Sequence, residues 1–173
     1  MIASCEEKDL PTVGDIIHES ALAYKGIIPA DRWREPYMPF QELKREVAAG
    51  VRFYGYRRDG LLLGIMGIQE VKDVTLIRHA YVRTASRGQG IGQTLLKFLN
   101  RQTSRPILIG AWKAAIWAIQ FYEKNGFSVV PEEEKNRLLQ IYWSIPARQV
   151  EESVVLADRQ WKEGGISDRR ERF

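Results

Sequence analysis

Residues 81–93 read Tyr-Val-Arg-Thr-Ala-Ser-Arg-Gly-Gln-Gly-Ile-Gly-Gln, and this stretch is the most informative in the sequence. An apolar, β-branched run ends at Val82, and residues 93–100 have the spacing of a helix. Between them stand three alternate glycines, Gly88, Gly90 and Gly92. A strand, a glycine loop and a helix in this order let bare backbone amides approach a phosphate, and the helix dipole adds attraction for negative charge. With Arg83 and Arg87 beside the glycines, the stretch predicts a site for a pyrophosphate-bearing ligand.

The spacing of the glycines excludes two familiar phosphate-binding loops. A Walker-type loop requires Lys and then Ser or Thr after its last glycine, but Gln93 and Thr94 follow Gly92. The dinucleotide fingerprint requires Gly-x-Gly-x-x-Gly, whereas here the glycines stand at every second residue. That fingerprint also expects an acidic residue about 20 positions further on. Residues 101–113 contain none, so both interpretations fail.

The pattern that fits is Arg-x-x-Gly-x-Gly, from Arg87 to Gly92, which resembles the acyl-CoA pyrophosphate loop of the GNAT superfamily of N-acyltransferases. A second segment, Ala118-Ile-Gln-Phe-Tyr-Glu-Lys-Asn-Gly-Phe127, resembles a later helix of that family, which ends in Tyr-x-x-x-Gly-Phe. The two segments follow the family's order, with an apolar strand at 107–109 between them. The resemblance is sharp over residues 74–130.

The resemblance implies an acetyl-CoA-dependent N-acetyltransferase that works by direct attack of an amine on the thioester. Tyr122 occupies the position from which a family tyrosine often protonates the leaving thiolate, so it is the catalytic residue expected here. The strand before the loop is expected to pair with the pantetheine arm, and the loop is expected to hold the pyrophosphate. The implied cofactor-binding residues are Tyr81, Val82, Arg87, Gly88, Gln89, Gly90, Ile91 and Gly92.

No general base is assigned from the sequence. Relatives that use an acidic base often place it on the strand before the loop or on the strand after it, but the corresponding positions hold Leu76, Arg78 and Gly110. His79 is adjacent, yet strict strand alternation turns it away from the face of Arg78 unless a bulge intervenes. Glu70, at the end of the preceding strand, is the other weak candidate. Ala115 stands where many relatives have an asparagine that contacts the cofactor.

Hydrophobic periodicity and turn residues predict an α/β (α+β) fold: a mixed, mostly antiparallel central sheet flanked by helices. An extra helix is expected between the last two strands, with the final strand at the distal end of the sheet. One domain is expected over residues 1–158, followed by a basic, mobile tail over 159–173. The predicted strands are 51–57, 61–71, 74–82, 107–109, 127–130 and 150–157, and the predicted helices are 12–23, 41–49, 91–102, 114–124 and one that starts at 131.

Composition bounds the remaining possibilities. The 173 residues are 45% apolar and 28% charged, which is ordinary for a globular protein, and no run approaches the length of a membrane span. A single cysteine, Cys5, and the absence of a signal-peptide pattern favour the cytoplasm. The two histidines and the cysteine lack zinc-site spacing, so no metal is predicted. The net charge of +4 forms no basic stripe, which argues against nucleic acid as a partner.

Two functions remain open at this stage. One is acetyl transfer from acetyl-CoA to an amine on a small molecule or a protein; the other is a non-catalytic acyl-CoA-binding regulatory module, which the missing base and the alanine at 115 favour. The acceptor is not encoded in any motif, and a homodimer remains open. Several large side chains, most of them aromatic, either line an acceptor pocket or belong to the core: Trp33, Tyr37, Met38, Trp112, Trp117, Tyr142 and Trp143.

Overall fold

The computed structural model describes residues 1–164. In that part of the chain the strands are β1 (Ile2–Ser4), β2 (Arg52–Arg58), β3 (Leu61–Val71), β4 (Val74–Val82), β5 (Ile107–Trp112), β6 (Ser128–Val129) and β7 (Ser153–Ala157). The α-helices are α1 (Leu10–Ala21), α2 (Phe40–Ala48), α3 (Ile91–Asn100), α4 (Ile116–Lys124), α5 (Glu132–Tyr142), α6 (Ala147–Glu151) and α7 (Arg159–Glu163).

The seven strands form one sheet in the order β1-β2-β3-β4-β5-β7-β6. The pairs β1–β2, β2–β3, β5–β7 and β6–β7 are antiparallel, so the predicted mixed, mostly antiparallel sheet flanked by helices is confirmed. The final strand was predicted at the distal end of the sheet, and this prediction is wrong. Strand β7 lies between β5 and β6. It is apolar and largely buried, whereas the two-residue β6 suits an edge, where short strands are favoured.

The first compact unit comprises residues 1–70 and 77–103. Its helix α1 has apolar residues at helical spacing, and Val13, Ile16 and Ile17 are buried as that periodicity predicts. They pack with residues of α2 and the strands, including Leu43 and Phe53. Strand β1 was not predicted, because three residues are too few to show alternation; it is held by pairing with β2.

The second unit comprises residues 71–76 and the chain from 104 onward. The predicted extra helix is α5, which begins after Pro131 with three glutamates in its first turn, where the helix dipole favours acidic side chains. Its apolar face buries Leu138, Leu139 and Tyr142 in the core of this unit. The short helix α6 between α5 and β7 was not predicted.

The first part of the tail predicted from residue 159 is instead ordered, because Arg159–Glu163 form helix α7. Asp158 caps this helix by accepting the Trp161 backbone N–H at 2.9 Å, and the Trp161 side chain is 3% exposed. A buried tryptophan of this kind fixes the segment to the core. The rest of the predicted tail, residues 165–173, lies outside the described residues, and the single domain over 1–158 stays a prediction. Within residues 1–164, no helix is long and apolar enough to cross a bilayer.

Candidate functional site

The glycine loop belongs to the first unit and leads directly into α3. Gly88 and Gly90 have φ values of 75° and 76°, the left-handed region that side chains with a Cβ disfavour. In the described part of the chain, no atom beyond the neighbouring residues lies within 4 Å of where a Cβ would stand at either glycine. Gly92 differs, because it lies inside α3 and needs no special φ. The loop therefore presents open backbone at two of its three glycines.

The first amides of α3 are available to a ligand. The helical hydrogen-bond ladder starts with the Thr94 N–H, which donates to the Gly90 carbonyl at 3.0 Å. The amides of Ile91, Gly92 and Gln93 precede this bond, and Gly90, as the N-cap, has no side chain to accept from them. Ile91 is 2% exposed, whereas Gly92 is half-buried and Gln93 is exposed, so the amides of Gly92 and Gln93 are the more accessible to a ligand. This arrangement attracts an anionic group such as a phosphate.

Two arginines lie at the loop. One belongs to the loop itself, and the other belongs to β2. Arg87 Nη2 lies 3.4 Å from the Ser20 carbonyl of α1, a long contact that leaves most of the guanidinium unengaged by that partner. Arg58, at the end of β2, donates from Nη1 to Gln89 Oε1 at 2.8 Å. The sequence did not reveal Arg58, because it stands 31 residues before Gln89 and only the fold brings the two together.

Tyr81 and Val82 end the strand before the loop and are braced by α1 and the residues that follow it. The Val82 carbonyl accepts from Ser20 Oγ at 2.9 Å. The Tyr81 ring lies edge-on to Tyr24, with centroids 6.4 Å apart. Burial raises the pKa of Tyr24, although a hydrogen bond with Tyr81 and the charge of Arg87 act in the opposite direction. Tyr24 thus joins the predicted pantetheine strand to the loop arginine, a link that no sequence motif indicated.

The Glu46 carboxylate of α2 contacts the side chains of two consecutive residues of β4. Arg78 Nη2 lies 3.3 Å from Glu46 Oε1, and His79 Nε2 contacts Glu46 Oε2. Successive strand residues normally face opposite sides of a sheet, but His79 has a φ of 54°, which breaks the alternation. The His79 and Glu46 side chains are 14% and 17% exposed. The strict alternation considered for His79 is therefore wrong, and Arg78 and His79 share one carboxylate.

Tyr122, the predicted general acid, belongs to the second unit. It is 7% exposed, and its ring packs edge-on against Phe121 and Phe127, at 5.2 and 6.1 Å between centroids. The turn after α4 is closed by the Phe127 N–H, which donates to the Tyr122 carbonyl at 3.1 Å. Ala115 is the N-cap of α4 and is buried. Its methyl group has no polar atom, so no side-chain cap is made there.

Gly110, one of the positions where relatives place an acidic base, lies beside Trp143 in the second unit. Gly110 lies in β5, and a Cβ at this position would lie 3.4 Å from the Trp143 indole. The indole would thus contact a side chain at position 110, which is itself exposed. Trp112 and Tyr142 are buried core residues, whereas Trp117 is 45% exposed.

The remaining candidates do not form a site. Glu70 is 49% exposed and pairs with Arg52 at 3.7 Å on the protein surface. Burial raises the pKa of the Cys5 thiol to about 11, helped by the nearby Asp9, so Cys5 is a poor nucleophile. Across residues 1–164, no group of three or more His, Cys, Asp or Glu side chains is arranged to hold a metal ion.

Residues 49–129, which include the glycine loop and Tyr122, match the family model of the acetyltransferase (GNAT) domain. This segment carries the match to the GNAT acetyltransferase family and spans a little under half of the chain. It is also 25% identical over 127 residues to the UPF0157 protein YqkA of Bacillus subtilis (strain 168). That match covers 71% of this chain and 36% of YqkA, so the chain spans about a third of the length of that relative.

Solved structures share the fold of the GNAT domain. The PaiA N-acetyltransferase of Thermoplasma acidophilum, in complex with coenzyme A, has a TM-score of 0.67 and 20% identity, with 91% of this chain and 97% of that chain covered. The ribosomal-protein-S18-alanine N-acetyltransferase of Escherichia coli has a TM-score of 0.65 and 17% identity, with 91% and 92% covered. At these identities the similarity concerns the fold.

Proposed function

We propose that this GNAT protein is an N-acetyltransferase that moves the acetyl group of acetyl-CoA to a primary amine of a small molecule or a protein. The observation that carries the proposal is the open glycine loop at the start of α3, within the segment that matches the family. The names of the two structural relatives, one in complex with coenzyme A, support the same reaction class and donor. The single cysteine supports a reducing compartment, and we place the reaction in the cytoplasm.

The chain fits coenzyme A at the loop on physical grounds. A pyrophosphate needs several amide donors and close backbone approach, and the loop supplies left-handed glycines and the amides of Ile91, Gly92 and Gln93, which precede the first helical hydrogen bond. Arg87 adds fixed positive charge. Residues 87–92 would hold the pyrophosphate, and the backbone of Tyr81 and Val82 would pair with the pantetheine arm.

The transfer itself requires two proton movements. An alkyl ammonium has a pKa of about 10.4, so it must lose a proton before its nitrogen can attack the thioester carbonyl carbon. As the C–N bond forms, the C–S bond breaks and its electron pair leaves on sulfur. A thiol has a pKa of about 8.5, so a proton donor helps the thiolate to leave. Tyr122 is the proposed donor.

A second function is favoured by specific observations in the second unit. Glycine occupies position 110 and alanine position 115, where an acidic base and a cofactor-binding asparagine are expected in many relatives. A non-catalytic acyl-CoA-binding module would need neither residue. In that case cofactor occupancy would regulate a partner instead of supporting turnover.

Release of free thiol separates the two functions. The protein is mixed with acetyl-CoA and a panel of primary amines and amine-bearing peptides, and CoA thiol is measured against time, while CoA binding is measured by calorimetry. An acetyltransferase releases thiol with at least one amine. Tight CoA binding without amine-dependent release would contradict the enzyme and support the module.

A further inference from the structure

His79 is held in a strained backbone conformation in the middle of a strand. A φ of 54° is rare for a residue with a side chain, and such strain persists where the surroundings enforce it, often at functional sites. The neighbouring strand accommodates the distortion at Gly67. A Cβ at Gly67 would lie 2.9 Å from the Arg78 carbonyl oxygen and 3.0 Å from Val51 Cγ1, closer than real Cβ atoms pack. The distortion is therefore built into the packing of β3 against β4.

The consequence of this strain is the meeting of His79 with Glu46. The groups that face the imidazole are the Glu46 carboxylate from α2, the neighbouring Arg78, and the Phe53 ring of β2 at 5.9 Å between centroids. Burial alone would raise the pKa of Glu46, but the contacts with His79 and Arg78 outweigh it and lower that pKa. Glu46 is thus an anion at neutral pH and accepts the Nε2–H of His79, so that Nδ1 is the ring atom left to take up a proton.

His79 lies on the part of β4 along which the proposed cofactor path runs. The loop at the end of the strand would hold the pyrophosphate, and Tyr81 and Val82 would pair with the pantetheine arm that leaves it. The arm then extends back along β4, toward residues earlier in the strand. His79 precedes Tyr81 by two residues, about 7 Å along the strand, on the way to the thioester end.

We propose that His79 is the general base that takes the proton from the acceptor ammonium, and that Glu46 is a positioning residue that fixes its tautomer. The proposal rests on the proposed acetyl transfer. The ammonium first gives one proton to Nδ1 of His79. The neutral nitrogen then forms the C–N bond while the C–S bond breaks, and the electron pair of that bond leaves on sulfur. The nitrogen then loses a second proton and sulfur gains one, so that one net proton passes through His79 to water. Arg78, held by Gln69 at 3.0 Å, keeps the other carboxylate oxygen in place.

His79→Asn tests the base directly. Asparagine tolerates a left-handed φ, so the backbone conformation is retained, but it cannot take up a proton. We expect kcat to fall about 100-fold near pH 7 with unchanged CoA affinity, and the loss in kcat to shrink as pH rises and the ammonium loses its proton to water. The melting temperature should fall modestly, because the Glu46 carboxylate loses one partner and keeps Arg78. If His79→Asn keeps the wild-type kcat and pH profile, the assignment of His79 as the base is wrong, while the proposed acetyl transfer still stands. No thiol release by the wild type with any amine would contradict the acetyl transfer and the base together.

Glu46 is tested by charge and by geometry. Glu46→Gln should lower kcat and change the pH profile, and Glu46→Asp should restore part of the loss; Glu42→Gln, which removes a carboxylate from the same helix, is the matched control. The chain has two histidines, so ¹⁵N spectra compared with those of His79→Asn identify the His79 ring without any turnover. The Nε2-protonated tautomer is expected. An Nδ1-protonated tautomer, or a Glu46→Gln variant with wild-type kcat and pH profile, would overturn the assignment.

Discussion

Glu19 and Arg83 form an ion pair, with Nη1 and Oε2 2.9 Å apart, that joins α1 to the segment leading into the glycine loop. The other oxygen of the same carboxylate accepts the Thr84 backbone N–H at 2.7 Å. Burial alone would raise the pKa of Glu19, but the Thr84 and Arg83 contacts outweigh it and lower the pKa below the ordinary 4.5. One carboxylate thus fixes both the charge and the backbone before the loop.

This pairing predicts a pH-dependent contribution of Glu19 to stability. A carboxyl group whose pKa is lower in the folded state stabilises the fold above its unfolded pKa, and the contribution is lost as pH falls through the folded pKa. We therefore expect Glu19→Gln to lower the melting temperature near pH 7, and the difference from wild type to shrink as pH falls below 4.5 and to vanish only below the lowered pKa of the folded state. Thermal melts across this range measure it, with Glu163→Gln as an exposed control. A difference that stays constant with pH would contradict the prediction.

Gly90 and Gly60 provide a matched pair for the loop. Both have left-handed φ values, 76° and 77°, and in the described chain neither has a non-neighbouring atom within 4 Å of its Cβ position. Valine should therefore strain the backbone alike at both positions, by about 1–3 kcal/mol. We expect Gly90→Val to abolish CoA binding in calorimetry and Gly60→Val to retain it. Folded Gly90→Val with wild-type CoA affinity would remove the pyrophosphate assignment.

Tyr122→Phe isolates the phenolic hydroxyl. The ring contacts with Phe121 and Phe127 are retained, so CoA affinity should change little, while kcat falls by about 100-fold if the hydroxyl protonates the thiolate. Tyr142→Phe is the control, because it is expected to change stability and not kcat. It loses the 2.6 Å hydrogen bond from the Tyr142 hydroxyl to Asp73, so it should lose about 1 kcal/mol of stability with no specific loss of kcat. Wild-type turnover in Tyr122→Phe would exclude the acid role.

Cys5 should react slowly in the native protein. Because the thiolate is the reactive form and burial raises the pKa to about 11, alkylation by iodoacetamide at neutral pH should be about 100-fold slower than for an exposed cysteine. Mass spectrometry follows the labelling, and denaturant should restore the ordinary rate. Rapid labelling of the native chain would contradict the raised pKa. Slow labelling also means that the protein adds little background to a thiol-release assay.

The glycine loop could be predicted because its signal is local. Its strand, its left-handed glycines and its helix start lie within residues 74–100, and each follows from neighbouring residues. The Glu46–His79 contact could not be predicted, because 33 residues separate the partners and strand alternation pointed the other way. Trp161 was assigned to a tail for a similar reason. Its burial depends on a partner in α5, Glu134, which accepts the indole N–H at 2.9 Å.

The contact between Gly110 and Trp143 couples these two positions. A side chain introduced at 110 to imitate relatives with an acidic base would begin in van der Waals contact with the indole, 3.4 Å from the Cβ position. Residue 143 therefore restricts the rotamers open to a carboxylate at 110. An attempt to install an acidic base on β5 should for this reason vary the two residues together.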